Sequence, residues 1–279
     1  MISVMNEPEN MADPVTSVRA ERISTADDSA APVKEDVCVV REAAVKIDVE
    51  GVESYTVLCT PSDKLAMAVG FLYSEGVIDG LEEVEVLKHC DDDPDVIRVG
   101  LTGDIPRIDD KGRNLLIVSS CGACGTEDLQ SRIDALPSVG ATMQIKSSML
   151  RRVGDALCKR QSLFDACGGT HAAALFSASG QIVSIAEDTG RHNALDKAVG
   201  KCMMDGVSTA GLGAALSGRV SLEMVAKCAR AGIELITAVS APTSMAVAVA
   251  KGCNIMLCAF VRETRATVFT HPGRLSIQK

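Results

Sequence analysis

The stretch that decides the fold runs from residue 181 to residue 206 and reads QIVSIAEDTGRHNALDKAVGKCMMDG. Its first five residues have the apolar, β-branched character of a strand, and a polar turn follows them. A helix is predicted from Arg191 to Met204, because apolar side chains recur there at helical spacing and Gly206 follows as a stop signal. The stretch is therefore a strand, a turn and a helix in succession.

The same alternation continues on both sides of this stretch. Strands are predicted at His171–Ser177, Gln181–Ile185, Ala214–Leu216, Leu235–Val239, Ile255–Val261 and Ala266–Thr270. Helices are predicted at Met149–Phe164, after a Ser221 cap, and from Thr243 or Ser244 to Gly252. Strands that alternate with helices indicate a layered α/β sheet.

The region before residue 140 has a different pattern. Strands are predicted at Ala43–Val49, Tyr55–Leu58, Val84–Leu87 and Val96–Leu101, with one helix that begins at Thr60-Pro61-Ser62-Asp63 and ends near Gly76. Residues 1–34 are poor in large apolar side chains and are predicted to be disordered. We therefore expect a tail at 1–34, a smaller α+β domain at 35–140 and an α/β domain at 141–279. The fold of the whole chain is then α+β.

Composition excludes several classes of function. The 279 residues carry a net charge of -9, which argues against general nucleic-acid binding. Lys251, Gly252 and Asn254 interrupt the longest C-terminal apolar stretch, so we expect no membrane span. The 11 cysteines and the lack of a secretory signal predict a reduced, cytoplasmic setting in which most cysteines are small buried apolar residues.

A close pair of thiols follows the apolar run at residues 114–118, in the segment Cys121-Gly122-Ala123-Cys124. Structural zinc needs four ligands, usually two such pairs, and no second pair of this spacing is present. A redox dithiol usually lies at a helix N-terminus, which Gly122 and Gly125 disfavour. A sulfur carrier needs an exposed thiolate on an accessible loop. A turn with two incidental cysteines remains a fourth interpretation.

Polar turns follow several predicted strands and open helices. Arg191 and His192 stand at a helix start, where backbone N–H groups attract anions, although Asp188 could instead cap a solvated loop. Two further turns, at 217–219 and 240–244, would share one cleft with it at the carboxyl ends of the strands. The segment Phe260-Val261-Arg262-Glu263-Thr264-Arg265 offers an aromatic ring and two arginines for a nucleotide, or is an edge turn with solvated charges.

The chain resembles the FdhD family of accessory sulfurtransferases for formate dehydrogenase, from about Val37 to its end. The resemblance is carried by an ordered set of motifs. They are Thr60-Pro61, Gly70-Phe71, Ser74-Glu75-Gly76, Ser120-Cys121-Gly122-Ala123-Cys124-Gly125, Gly168-Gly169-Thr170-His171-Ala172-Ala173, Glu187-Asp188-Thr189-Gly190-Arg191-His192-Asn193-Ala194, Ser217-Gly218-Arg219 and Val239-Ser240-Ala241-Pro242-Thr243-Ser244.

The resemblance implies a cytoplasmic homodimer that takes sulfur from a cysteine desulfurase. The sulfur would pass to the bis(molybdopterin guanine dinucleotide) molybdenum cofactor, the bound substrate, before that cofactor enters formate dehydrogenase. It implies that Cys121 carries a persulfide and that Cys124 assists. It also implies that Phe260, Val261, Arg262, Glu263, Thr264 and Arg265 bind the cofactor. The polar turns add Arg191, His192 and Arg219 as further candidate cofactor-binding residues. The competing expectation is a non-catalytic chaperone that binds the cofactor and uses the thiols only for redox sensing.

The resemblance also implies a larger domain with a cytidine-deaminase-like fold, but the deaminase apparatus is absent. No Glu follows His171 at the required position, and Thr243 rather than Cys follows Pro242, so no resident metal is expected. Two departures from the family pattern stand out. Cys167 adds a third thiol near the predicted cleft, and Lys64-Leu65-Ala66 replaces a more acidic stretch, which we expect to alter a partner surface.

Overall fold

The computed structural model describes residues 3–4, 13–103 and 126–276 of the chain. It confirms the predicted α+β fold. The strands of the smaller, five-stranded sheet are β1 (Ser3–Val4), β4 (Ala43–Val49), β5 (Ser54–Cys59), β6 (Val84–His89) and β7 (Val96–Leu101). Their order across the sheet is β1-β6-β7-β4-β5. Helix α1 (Lys64–Ser74) packs on this sheet and buries Leu65, Val69 and Leu72 in a shared core.

The larger sheet has six strands in the order β10-β9-β11-β12-β13-β14. They are β9 (His171–Phe176), β10 (Ile182–Asp188), β11 (Gly213–Leu216), β12 (Leu235–Ala238), β13 (Met256–Ala259) and β14 (Thr267–Val268). β11, β12 and β13 run parallel to one another, whereas β9, β10 and β14 pair antiparallel. The carboxyl ends of three parallel strands therefore meet at one edge of the sheet.

Helices cover both faces of the larger sheet. One core lies beneath α5 (Arg191–Met204), α6 (Leu222–Arg230) and α7 (Ser244–Gly252). The other core includes Leu150, Val153 and Leu157 of α3 (Ser147–Cys158). Helix α2 (Thr126–Asp134) precedes a short two-stranded pairing of β8 (Ile145–Lys146) with β15 (Leu275–Ser276).

The central strand-turn-helix stretch is confirmed, but its strand, β10, runs from Ile182 to Asp188 and so extends beyond the predicted Gln181–Ile185. Helix α5 spans Arg191–Met204, and its apolar side chains are at most 1% exposed at Leu195, Ala198, Val199 and Cys202. Gly206 adopts a left-handed backbone with φ 67, which ends the helix. Thr243 caps α7 by accepting a hydrogen bond from the backbone N–H of Ala246, as predicted. Ser221 precedes α6, but its side chain makes no capping hydrogen bond.

Two predictions about the fold were wrong. The helix predicted at Met149–Phe164 is two helices, α3 and α4 (Ser162–Cys167), because the chain turns at Gln161 and α4 starts anew. Within the segment predicted to be disordered, β2 (Val15–Arg22) forms a regular antiparallel hairpin with β3 (Val33–Val40). The low apolar content did not prevent a strand, because cross-strand pairing satisfies the backbone.

Helices α1 and α5 join the two sheets at very close range. A Cβ on Gly70 would overlap the backbone carbonyl of Asp196, and a Cβ on Gly200 would overlap the carbonyl of Ala66. The two glycines therefore let the helix backbones touch. The proposed domain boundary at residue 140 stays a prediction, since the described elements on either side pack directly on each other.

Candidate functional site

The two thiols of the predicted carrier site, Cys121 and Cys124, lie outside the described residues. The nine cysteines that the structure does describe are all free thiols. Burial raises the pKa of Cys59 and of Cys258 to about 12, and it also raises the pKa of Cys202, Cys228 and Cys253. These five thiols are poor nucleophiles at neutral pH, because the thiolate is the reactive form. They pack as small apolar residues, as predicted.

Three turns converge at the carboxyl ends of β11, β12 and β13. We call residues 217–220, 239–244 and 260–265 the edge turns. Val220 donates its N–H to the carbonyl of Ala241, and Thr243 donates to the carbonyl of Val220. Phe260 donates to the carbonyl of Ser240, which joins the third turn to the second. Backbone hydrogen bonds therefore join the turns at 217–219 and 240–244, which were predicted to share one cleft, and connect the third turn to them.

The third edge turn is closed by its own backbone and by one arginine. The N–H of Arg262 donates to the carbonyl of Arg265 at 2.8 Å. The Arg262 guanidinium donates to the carbonyls of Val239, at 2.6 Å, and Val261, at 2.9 Å. Arg262 therefore anchors the turn to the end of β12, in addition to carrying a positive charge.

The other side chains of this turn differ in their exposure to solvent. Val261 is 8% exposed and belongs to the core, whereas Glu263, Thr264 and Arg265 are exposed. Phe260 is 41% exposed, has a left-handed backbone with φ 53, and its ring centroid lies 6.3 Å from that of Phe269. The turn thus holds one aromatic face and a cationic side chain in solvent.

Arg219 is exposed in the first edge turn, and the start of α5 lies beside that turn. Arg191 is the first residue of α5, and its Cβ would lie 3.5 Å from a Cβ built at Gly218. His192 pairs with Glu223 at 2.8 Å, which ties the start of α5 to α6. Among the described residues, the buried Nε of Arg191 has no hydrogen-bond partner.

His171 lies against the same turn. Its Nδ1 is 3.5 Å from Oγ of Ser217, which itself accepts a hydrogen bond from the N–H of Ala172. Burial lowers the pKa of His171, and the charges of Arg191 and His192 lower it further. His171 is therefore neutral at physiological pH and adds no positive charge to this region.

The polar run before α5 is not a solvated loop. Asp188 is completely buried and forms an ion pair with buried Lys197 at 2.6 Å. Its carboxylate accepts hydrogen bonds from the backbone N–H groups of Gly190, at 2.8 Å, and Thr60, at 3.0 Å. The carboxylate also accepts from Asn193, at 3.0 Å. The predicted alternative of a solvated cap was wrong, because Asp188 connects the Thr-Pro motif of the smaller sheet to the first turn of α5.

Glu187 also has hydrogen-bond partners within the fold. Its carboxylate accepts hydrogen bonds from the N–H groups of Leu163 and Phe164, each at 2.9 Å, and from the hydroxyl of Thr170. It thereby satisfies the free N–H groups that begin α4. Cys167 ends this helix, half-buried, with its S–H donating to the carbonyl of Leu163.

A buried ionic cluster between α1, α5 and α6 was missed at the sequence level. The ammonium of Lys227 contacts Glu75 at 2.7 Å, Ser74 at 2.7 Å and both oxygens of Asp196 at 2.9 and 3.0 Å. Burial raises the pKa of Asp196. Burial acts to lower the pKa of Lys227, but the two carboxylates outweigh it, so that pKa is raised. The available signal was a lysine within the run of small apolar residues of α6.

We call the buried contacts between α1, α5 and α6 the seam. Its members are Gly70, Ser74, Glu75, Asp188, Asp196, Lys197, Gly200 and Lys227. Lys64 lies at the start of α1 and is 3% exposed, with its ammonium 2.9 Å from Asp95. The expectation that the Lys64-Leu65-Ala66 departure alters a partner surface was wrong, since all three side chains are buried.

Residues 3–4, 13–103 and 126–276 contain no group of three or more His, Cys, Asp and Glu side chains arranged to hold a metal ion. Within the same residues, every helix is too short or too polar to cross a bilayer.

Comparisons with known proteins agree with this architecture. The sequence model of the FdhD/NarQ family matches residues 40–276. The chain is 34% identical over 272 residues to the sulfur carrier protein FdhD of Bordetella bronchiseptica, covering 96% of each chain. It is also 34% identical to the protein of that name from Saccharolobus solfataricus, covering 92% of this chain and 97% of the relative.

A solved structure has the same fold. The crystal structure of a candidate formate dehydrogenase accessory protein from Desulfotalea psychrophila superposes with a TM-score of 0.75. The match covers 95% of this chain and 100% of that chain, at 23% sequence identity.

Proposed function

The chain belongs to the FdhD/NarQ family, and on that basis we propose that it is a sulfur carrier that acts in the maturation of formate dehydrogenase. The observation that carries the proposal is the similarity at 34% identity, over 96% of the chain, to a protein named as a sulfur carrier. The finer proposal is that Cys121 receives persulfide sulfur from a cysteine desulfurase and passes it to the bis(molybdopterin guanine dinucleotide) cofactor.

The chemistry of the described cysteines supports Cys121 as the carrier. Five of the nine are held as thiols by burial, and they cannot serve as nucleophiles without opening the core. Cys121 and Cys124 are the one close pair in the sequence. A carrier must expose its thiol to a donor and an acceptor in turn, which these buried positions do not allow.

The transfer takes place in two steps, each a thiolate attack on a sulfur atom. The Cys121 thiolate attacks the outer sulfur of the donor persulfide, the donor S–S bond breaks, and the donor leaves as a thiolate. Releasing that sulfur as sulfide requires two electrons. The Cys124 thiolate supplies them by attacking Sγ of Cys121, which forms a Cys121–Cys124 disulfide. Sulfurtransferase activity of this kind, in the cytoplasm, is the proposed enzymatic role.

The edge turns support a site for the acceptor. Arg191, Arg219, Arg262 and Arg265 all lie at the edge turns or beside them, where three helices also begin. Guanidinium groups and helix N-termini both favour phosphate groups. The buried, unpartnered Nε of Arg191 adds a donor that a bound anion could satisfy. We propose that this region holds the guanine dinucleotide ends, with Phe260 beside a base.

The test is maturation of formate dehydrogenase in cells that lack their own sulfur carrier. We expect Cys121→Ala to give inactive dehydrogenase and Cys124→Ala to reduce its activity. Cys158→Ala, which removes an exposed thiol at the end of α3, is the matched control and should behave as wild type. Full dehydrogenase activity with Cys121→Ala would exclude the carrier role and favour a chaperone that only binds the cofactor.

A further inference from the structure

A pocket with a volume of about 710 Å³ lies between helices α2 and α7, and this volume is within the range of small-molecule sites. Its apolar lining comes from Ile133 of α2 and Leu136 beyond the end of that helix, and from Met245 and Ala248 of α7. A Cβ built on Gly252, which also lines the pocket, meets no atom within 4 Å. The space is therefore open, and we call it the helix pocket.

The two helices that form the helix pocket are joined beyond their C-terminal ends. The N–H of Val139, which follows α2, donates to the carbonyl of Cys253, which follows α7, at 2.9 Å. The side-chain amide of Asn254 donates to the carbonyl of Val139, also at 2.9 Å. These hydrogen bonds fix the walls of the pocket to each other at that end.

One wall of the helix pocket carries a hydrogen-bonding pair. Gln130 and Asp134 lie one helical turn apart on α2, and Nε2 of Gln130 donates to Oδ1 of Asp134 at 2.8 Å. Oδ2 of Asp134 and Oε1 of Gln130 accept no hydrogen bond from a described residue. The pair thus leaves two acceptor oxygens at the edge of an apolar pocket, which suits a flat ring whose edge carries two adjacent N–H donors.

The 2-aminopyrimidin-4-one ring has such an edge, and both the pterin and the guanine of the proposed acceptor cofactor contain it. Its ring N–H and its adjacent amino group are both donors. A carboxylate can accept from these two donors together, as it accepts from two nitrogens of an arginine. The sulfur of Met245, a residue that is 45% exposed, is polarisable and suits contact with a flat aromatic ring.

The position of the helix pocket favours the pterin over the guanine. Ser244 lines the pocket, begins α7 and ends the second edge turn. Backbone N–H groups in the first turn of a helix attract phosphate groups. The exposed ring of Phe260 belongs to the third edge turn, whose N–H at Phe260 donates to the carbonyl of Ser240. The order in the structure is therefore an aromatic ring, a helix start and the pocket, which matches the order guanine, pyrophosphate and pterin in each half of the cofactor.

We propose that the helix pocket binds one pterin end of the acceptor cofactor, with Asp134 and Gln130 accepting hydrogen bonds from its aminopyrimidinone edge. This inference rests on the proposed function, because it takes the cofactor as the acceptor of sulfur. Helix α7 has 9 residues and is therefore about 13 Å long, so the pocket extends that far from the edge turns. The molybdenum is bound at the pterin end, and α2, which forms one wall, begins two residues after Cys124.

The test is a titration of the full chain with 6-hydroxymethylpterin, followed by the fluorescence of the pterin. We expect saturable binding to wild type. Ala248→Phe fills the pocket from an exposed position of α7, so it should abolish pterin binding and leave the binding of guanosine monophosphate unchanged. Ala178→Phe is the matched control, because Ala178 is exposed in the turn between β9 and β10, at the opposite end of the larger sheet from the edge turns. It should bind the pterin as wild type does.

A second variant tests the hydrogen-bonding edge. Asp134→Asn replaces a carboxylate oxygen with an amide donor, so the affinity for 6-hydroxymethylpterin should fall about tenfold or more. Lumazine has a carbonyl in place of the amino group of the pterin. It should bind to wild type more weakly than the pterin does, and Asp134→Asn should change its affinity less.

Three results would overturn the proposal. They are the absence of pterin binding to wild type, equal pterin affinities of wild type and Ala248→Phe, and a loss of guanosine monophosphate binding in Ala248→Phe, which would assign the pocket to the guanine. The proposed function survives each of them if a cysteine desulfurase still places sulfur on Cys121. Pterin binding without that sulfur adduct would support the pocket and reject the carrier role.

Discussion

The seam and the edge turns are both rich in motif residues, but the two regions use them in opposite ways. In the seam, Asp188, Asp196, Lys197 and Lys227 are at most 6% exposed, and each has charged or backbone partners within the fold. In the edge turns, Arg219 and Arg265 are exposed. The difference shows that these motif residues serve both to join the two sheets and to present positive charge to solvent.

We expect the seam to control the stability of the fold. Lys227→Met leaves the Asp196 and Glu75 carboxylates buried without their cation, and it should lower the free energy of unfolding by about 3–5 kcal/mol. Denaturant titration measures this change. Lys251→Met, at an exposed position of α7, is the matched control and should change stability by less than about 0.5 kcal/mol. Equal effects of the two substitutions would contradict the role of the seam.

Lys227 should also make the stability of the fold depend on pH. The folded state raises the pKa of Lys227 above its ordinary value of 10.5, because the carboxylates outweigh burial. The stability that Lys227 contributes is therefore complete below that value and is lost as the pH rises through the folded pKa. Thermal unfolding in alkaline buffers should show this fall in wild type. If Lys227→Met loses stability at alkaline pH to the same extent as wild type, other groups cause the loss.

The second element of the seam is the close contact of α1 and α5. Gly70→Ala forces a Cβ into the carbonyl of Asp196, and it should destabilise the fold by about 1–3 kcal/mol. Gly154→Ala in α3 is the control, because no atom lies within 4 Å of the added Cβ. That substitution should stabilise the protein by about 0.5–1 kcal/mol through helix propensity. Calorimetry measures the change in stability of each variant. Changes of opposite sign support the close contact of the two helices, and changes of the same sign would reject it.

The edge turns should have the smallest effect on stability and a clear effect on binding. Arg265→Ala should leave the free energy of unfolding within about 0.5 kcal/mol of wild type. It should weaken guanine nucleotide binding by about 1.5–3 kcal/mol if one charged hydrogen bond is lost. Arg262→Ala should weaken binding as well and should also loosen the turn, because Arg262 holds two backbone carbonyls. Titrations unchanged in both variants would move the nucleotide site elsewhere.

The sequence predicted local structure better than it predicted long-range contacts. The strand at Ala43–Val49 and the helix at Arg191–Met204 were predicted with the correct bounds, because side-chain periodicity and glycine signals are local. The Asp188–Thr60 contact joins residues far apart in the chain, so spacing could not reveal it. For the same reason, Asp188 looked like a helix cap when it is a buried ion-pair partner.

Local sequence patterns also could not predict that Met149–Phe164 divides into two helices. Helix α4 begins where Glu187, from a distant strand, accepts the first N–H groups. In the candidate site, the neighbouring edge turns followed from the rule that ligands bind at the carboxyl ends of parallel strands. The anchoring role of Arg262 could not be predicted in this way, because it depends on backbone carbonyls that only the folded β12 and β13 bring within reach.

The role of Cys121 as the sulfur carrier can be tested on the isolated protein. The reduced protein is incubated with a cysteine desulfurase and cysteine, and its digest is analysed by mass spectrometry. We expect a mass increase of one sulfur atom on the peptide that contains Cys121. We expect no such increase in Cys121→Ala, while Cys158→Ala keeps the adduct. An adduct that persists in Cys121→Ala, or its absence from the wild-type protein, would contradict the claim.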